Sequence, residues 1–200
     1  MRSLSIFLAL AFVWPLAHAG DANDPEIRDG SRDVDPDFVS IALGAPEIDL
    51  LAVWFDANDT TVAFHWQVVD ASHRLFADEG RSFALTFRCG SDEAAAIVTL
   101  LPAFTYQGES YPPESTASVT VYHPDNGTTE GEDSAAWETG NVAHAEAPRS
   151  LFRCVSFTQE IATTNLLIHE GNGQWGGPSG SGWFRDIAPD QGYGRDFALG

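Results

Sequence analysis

The stretch Pro46–Asp70, PEIDLLAVWFDANDTTVAFHWQVVD, decides the fold. Two apolar runs flank Asp56-Ala57-Asn58-Asp59, a cluster of turn-forming residues. In the second run Val62, Phe64, Trp66 and Val68 alternate with Ala63, His65 and Gln67. Successive side chains of an extended chain point to opposite faces, so a period of two marks a half-buried strand. The first run, Ile48 to Phe55, is apolar on both parities, as a strand near the middle of a packed sheet is. The two read as a β-hairpin at the centre of an all-β domain.

Similar segments lie on either side. Upstream, Phe38 to Leu43 reads as a short strand before the turn Gly44-Ala45-Pro46. Downstream, the strands expected are Ser82 to Arg88, Ala95 to Leu101 with an extension over Phe104 to Gln107, Ala117 to His123, Leu151 to Phe157, and Leu166 to His169. Trp137 and Asn141 to Ala145 form a weaker one. Residues 71–81, 110–115 and the polar run Pro124 to Ser134 read as loops, and Thr158 to Thr164 as a short helix. Short strands with turn signals every eight to twelve residues or so are the pattern of a sandwich or barrel. The fold class expected is all-β: a jelly-roll-like antiparallel β-sandwich over residues 38–170. An irregular acidic arm, 20–37, precedes it, and a tail rich in glycine and aromatics, 171–200, packs on or beside it.

Residues 1–19 read as a signal peptide: Arg2, an apolar run from Leu4 to Leu16, then Ala17-His18-Ala19. The mature chain is expected to start at Gly20 and to be secreted, with no membrane span. Cys89 and Cys154, the two cysteines, then read as a disulfide. Cys89 shares its parity with Phe83, Leu85 and Phe87, and Cys154 with Phe152, so both sulfurs are expected to point inward.

The chain has 29 acidic residues, ten basic ones that are all arginine, and a formal net charge of −19. Like-charge repulsion makes nucleic acid and anionic membrane surfaces poor partner candidates. Because the charge is spread along the whole chain, a hydrated carboxylate surface suited to salty surroundings is the general cause. A local cation site is a second use of the same residues. Ca²⁺ takes six to eight oxygens, and Asp21, Asp24, Asp29 and Asp33 of the arm, with Asp190 and Asp196 of the tail, are the candidate ligands. Their spacing is not that of an EF-hand loop.

Trp175, Trp183 and Tyr193 sit among tail glycines too small to cover them, and are the candidate ligand-binding residues. Aromatic faces on such a platform stack on sugar rings or pack back as a lid. The histidines, His65, His73, His123, His144 and His169, lack the spacing of a zinc site. No catalytic motif is present. Gly177-Pro178-Ser179-Gly180-Ser181 lacks the last glycine of a nucleophile elbow, and His169-Glu170 is not followed by the second histidine of a zincin. Asn58-Asp59-Thr60 and Asn126-Gly127-Thr128 are sequons on expected loops.

Ala45-Pro46-Glu47-Ile48-Asp49-Leu50, then Asp56 and a strand ending Val69-Asp70, resembles the opening of family-9 carbohydrate-binding-module-like and DOMON-like sandwiches. The tail Ala188-Pro189-Asp190-Gln191-Gly192-Tyr193-Gly194-Arg195-Asp196-Phe197 is similar to a closing segment of such domains. The resemblance covers about a fifth of the chain. It implies a sandwich, often calcium-stabilised, that binds sugar or, in some relatives, haem. The sugar-clamping tryptophan pair of family-9 modules has no counterpart here. The only methionine is Met1, so Met/His haem ligation is excluded, which leaves a bis-histidine haem with His65 or His169 as ligands. The function expected is a secreted, non-catalytic module for carbohydrate. A structural or interaction domain of an extracellular or cell-envelope assembly, with no small ligand, is the alternative, and an enzyme or a haem-binding domain ranks third.

Overall fold

The computed structural model describes residues 21–31, 46–73, 79–170, 174–176, 185–189 and 191–199. The strands in chain order are β1 (Ile27–Arg28), β2 (Leu50–Ala57), β3 (Thr61–Val68), β4 (Glu79–Cys89), β5 (Asp92–Leu101), β6 (Phe104–Tyr106), β7 (Glu109–Tyr111) and β8 (Glu114–His123). They continue with β9 (Thr128–Ala135), β10 (Trp137–Thr139), β11 (Val142–Pro148), β12 (Ser156–Glu170), β13 (Gln174–Gly176), β14 (Arg185–Ala188) and β15 (Phe197–Ala198). Every pairing is antiparallel. One sheet runs β1-β2-β3-β11-β10; the other runs β13-β12-β4-β5-β8-β9, with β14 and β15 also paired to β12. The protein is an all-β sandwich, as the alternation in the sequence predicts.

The central hairpin forms as expected, with Phe55 opposite Phe64 and Val53 opposite Trp66. Asn58 closes it: its Oδ1 accepts from the Thr60 and Thr61 amides at 2.8 and 2.9 Å, an Asx-type turn. On β3 the burial alternates strictly, with Val62, Phe64, Trp66 and Val68 buried. The inward rings meet those of the other sheet: Phe55 lies 5.2 Å from Phe157 and 5.9 Å from Phe87, and Trp66 lies 6.5 Å from Phe83. This aromatic layer is the core.

Cys89 and Cys154 are bonded, with their Cα atoms 5.2 Å apart. The bridge ties the end of β4 to the segment that leads into β12.

Five expectations differ from the structure. The run Pro124 to Ser134 contains β9, an edge strand whose residues are mostly exposed; with no buried face it carries no apolar alternation. Thr158 to Thr164 is extended rather than helical, part of β12, because it pairs β4 and β14 on its two sides. The expected strand Leu151 to Phe157 begins only at Ser156; a 3₁₀ turn at Arg149–Leu151 precedes it. Residues 104–111 form their own hairpin, β6-β7, turning through Gln107 (φ 50°) and Gly108 (φ 84°), the two positive φ values of a type I′ turn. The acidic arm also departs from irregularity at β1, which pairs with β2. The strand expected at Phe38 to Leu43 lies outside the described residues.

The disulfide closes a loop of 65 residues in sequence separation. A Cys89→Ser/Cys154→Ser variant is expected to lose roughly 4 kcal/mol of stability in the chain-entropy account. Urea unfolding measures this, and a midpoint equal to that of the wild type would refute it.

Candidate functional site

The outer face of the larger sheet carries a groove of 370 Å³. Register builds it. Tyr122 on β8 lies beside Glu93 on β5, and Glu93 beside Arg88 on β4. One row along, Thr120, Ala95, Thr86 and Ile161 stand side by side on β8, β5, β4 and β12. This row, short side chains ending in Ile161, is the floor. Tyr122 stands at one end, 42% exposed. Gln159 and Tyr193, the latter 57% exposed, close the other end. With strands about 4.8 Å apart, the floor spans on the order of 14 Å.

Arg88 and Glu93 pair across the groove wall, Nη2 to Oε1 at 2.9 Å. The guanidinium is thereby already neutralised. What the groove presents is two phenol rings, a primary amide, threonine hydroxyls and a compensated ion pair.

Its far wall rests on a β-bulge. The register of β12 against β4 shifts between Thr158 and Ile161. There Gln159 takes φ 57°, the left-handed region, which costs a non-glycine residue roughly 1 kcal/mol. The bulge turns Gln159 outward into the groove and Glu160 inward, fully buried. The tail then crosses this point. The Gly194 amide donates to Glu160 O at 2.9 Å and the Arg195 amide to Glu26 O at 2.8 Å. A Cβ at Gly194 would stand 2.6 Å from Ile27 Cγ1, so only glycine permits the crossing. Tyr193 is positioned by this crossing.

The arm and tail thus meet, as the acid residues at both ends of the chain suggest, but a guanidinium joins them. Arg195 donates to Asp24 Oδ1 at 3.0 Å and to Asp24 O at 3.1 Å, and lies 3.7 Å from Glu26 Oε1. Glu26 Oε2 accepts from the Phe55 amide at 3.0 Å. Burial raises the Glu26 carboxyl above its ordinary range against the pull of that amide and of Arg195. Glu160 is pushed up to about 7, first by burial and then by the charges of Asp196 and Glu26. Neither of its oxygens completes a hydrogen bond of ordinary geometry among the described residues.

Of the expected calcium ligands, Asp21 accepts from the Asn23 and Asp24 amides and caps its own turn, while Asp24 pairs with Arg195. Asp29 lies just past β1, where its amide donates to Leu51 O at 3.1 Å. Asp196 lies by Glu160. Asp33 and Asp190 lie outside the described residues. Among the described residues no group of three or more His, Cys, Asp or Glu side chains has the geometry to hold a metal. Of the expected aromatics, Tyr193 lines the groove; Trp175 is on β13, with its side chain outside the described residues, and Trp183 lies outside them entirely. Asn58 and Asn126 both lie in turns, each accepting from a threonine two residues on.

The described histidine side chains occupy three separate settings. His73 pairs with Glu47 at 2.7 Å and the buried His123 with Asp92 at 2.9 Å. His65 and His144 face one another across β3 and β11. Sequence spacing could not show this, since the residues are 79 positions apart. Tyr122 and Gln159 are illegible in the sequence for different reasons. Tyr122 sits on the outward parity of a strand that was read, whereas Gln159 depends on a bulge in a segment read as helix.

The pH dependence of the tail crossing follows from Glu160. In the native state its proton is held to about pH 7, whereas in the unfolded chain it leaves near pH 4.5. Its contribution is therefore complete below about pH 4.5 and lost as pH rises through 7. Glu160→Gln is expected to gain on the order of 1–3 kcal/mol over wild type at pH 8 and little at pH 4. Parallel denaturant titrations at the two pH values test it; a gain equal at both would be the contrary result.

Compared with known proteins, the chain matches no family model, no curated protein and no solved structure.

Proposed function

We propose that the protein is an exported, non-catalytic binding module for a neutral oligosaccharide, held in the groove between Tyr122 and Tyr193. The observation that carries this reading is the pair of exposed tyrosines at opposite ends of the groove floor. A sugar ring presents apolar C–H faces and a rim of hydroxyls. Tyrosine covers the first, and amides, hydroxyls and paired charges bind the second.

The charge balance selects neutral ligands. A net charge of −19 repels polyanionic glycans, and the Arg88–Glu93 pair leaves no uncompensated guanidinium in the groove to attract them. The signal-like leader and the disulfide are consistent with export to an oxidising compartment. The strained Gln159 is the second support, since backbone strain held in place by its surroundings clusters at binding sites. The likeness to family-9 and DOMON-like sandwiches belongs to the same reading and adds the ligand class, not the residues.

A glycan array read with the full chain is the test. Binding to neutral glycans is expected, with little change between low and physiological salt. Tyr122→Ala and Tyr193→Ala are each expected to weaken it about tenfold, the loss of one stacking contact. Gln159→Gly relieves the φ strain and is expected to raise stability while lowering affinity. Binding that survives the double tyrosine substitution would place the ligand elsewhere, and a blank array would remove the sugar reading.

A further inference from the structure

On the opposite face of the molecule four rings stand in one row across the smaller sheet. Trp54 on β2 pairs with His65 on β3, His65 with His144 on β11, and His144 with Trp137 on β10. Trp54 stacks on His65 at 4.9 Å and 15°, and Trp137 stacks on His144 at 5.3 Å and 9°. The two imidazoles meet nearly at right angles, 85°, with their Nδ1 atoms 2.8 Å apart. Rings stacked on one another in this way present their edges rather than their faces to a ligand. The row is therefore not a stacking platform for sugars. Its chemistry is that of two nitrogen atoms.

We propose that His65 and His144 form a two-nitrogen site for a divalent transition-metal ion, with Cu(II) the ion it holds best. Two metal–nitrogen bonds of about 2.0 Å meeting at a right angle span about 2.8 Å. The two Nδ1 atoms are already held that close by an N–H···N hydrogen bond, so the rings have only to turn for both lone pairs to meet at one ion. A tetrahedral ion needs the nitrogens about 3.3 Å apart, so it asks the pair to separate where a tetragonal ion does not. Cu(II) prefers that geometry and heads the divalent affinity order for imidazole.

The rings are held for the task. Each has a tryptophan stacked on one side, and both ride on paired strands. Metal binding requires neutral imidazoles, and burial lowers both groups, His65 to about 4. In the metal-free protein one Nδ1–H donates to the other Nδ1. On binding, the ion takes both Nδ1 lone pairs, and the donor ring moves its proton to Nε2, with no net release. No third His, Cys, Asp or Glu completes the set among the described residues. The remaining positions fall to water. Nε2 of His144 is buried without a hydrogen-bond partner among the described residues, and two nitrogens with water make a weak ligand set. The affinity expected is therefore micromolar.

The experiment uses the chelator-stripped full chain and copper(II) sulfate alone. Calorimetry is expected to give one ion per chain, and electron paramagnetic resonance a tetragonal signal with splitting from two imidazole nitrogens. His65→Gln and His144→Gln are each expected to weaken binding at least tenfold, and the double variant to abolish it. Paramagnetic broadening of wild-type ring resonances gives a readout free of any folding defect, and should be confined to the row from Trp54 to Trp137. Broadening elsewhere, or affinity retained in the double variant, overturns the site. Zn²⁺ binding more tightly than Cu(II) overturns the geometry assigned to it.

Discussion

The structure depends on one constraint: the aromatic side chains of both sheets must fall on the same side of their strands at the same height. Phe55 touches Phe64 within its own sheet and Phe87, Phe157 and Phe197 from the other. A shift of one residue in any of these strands would turn its ring to solvent and bring an outward-facing neighbour inward. The register of each outer face follows from this. The groove row of Thr120, Ala95, Thr86 and Ile161 and the ring row from Trp54 to Trp137 are fixed by what the inner faces must bury.

The junction of arm, bulge and tail is the opposite case, held against local cost. Gln159 is in an unfavourable backbone region, Glu160 is a buried carboxyl with no hydrogen bond of ordinary geometry among the described residues, and the crossing tolerates no side chain at Gly194. What offsets these costs is close by. Phe197 is buried in the core beside Phe157, and Arg195 joins Asp24 and Glu26 of the arm. Features that oppose stability and survive only through their neighbours are expected where geometry serves a ligand. Here they shape the wall that carries Gln159 and Tyr193.

The residues most easily read were those with one face in the core. Thr61–Val68 and Ser82–Arg88 show period two because every second side chain is buried, and Cys89 was placed inward by the same parity. β9 was not read, because Thr128–Ala135 is held by backbone hydrogen bonds to β8 and buries nothing. Thr158 to Thr164 was misread because tertiary pairing with β4 overrides local pattern there, and a bulge breaks the period within it. Of the groove, Tyr193 was legible as an aromatic among glycines. Its companions were not, since Tyr122, Thr86 and Gln159 come from three strands whose pairing is set by the core. The His65–His144 pair was illegible for the same reason. The alternation puts His65 on the outward parity of β3, but a partner 79 positions away is a fact of register.

The surface charge bears differently on the two faces. A chain with 29 acidic and ten basic residues sets up a negative potential around itself. That field concentrates small cations near any outward-facing nitrogen pair and repels anionic polymers from every groove. It acts little on a neutral sugar, whose binding rests on contact area and hydrogen bonds. Salt therefore separates the two readings in physical terms. Raising it screens the field that gathers cations at the imidazole row, while contacts between a phenol ring and a sugar face, short-ranged and uncharged, are left as they were.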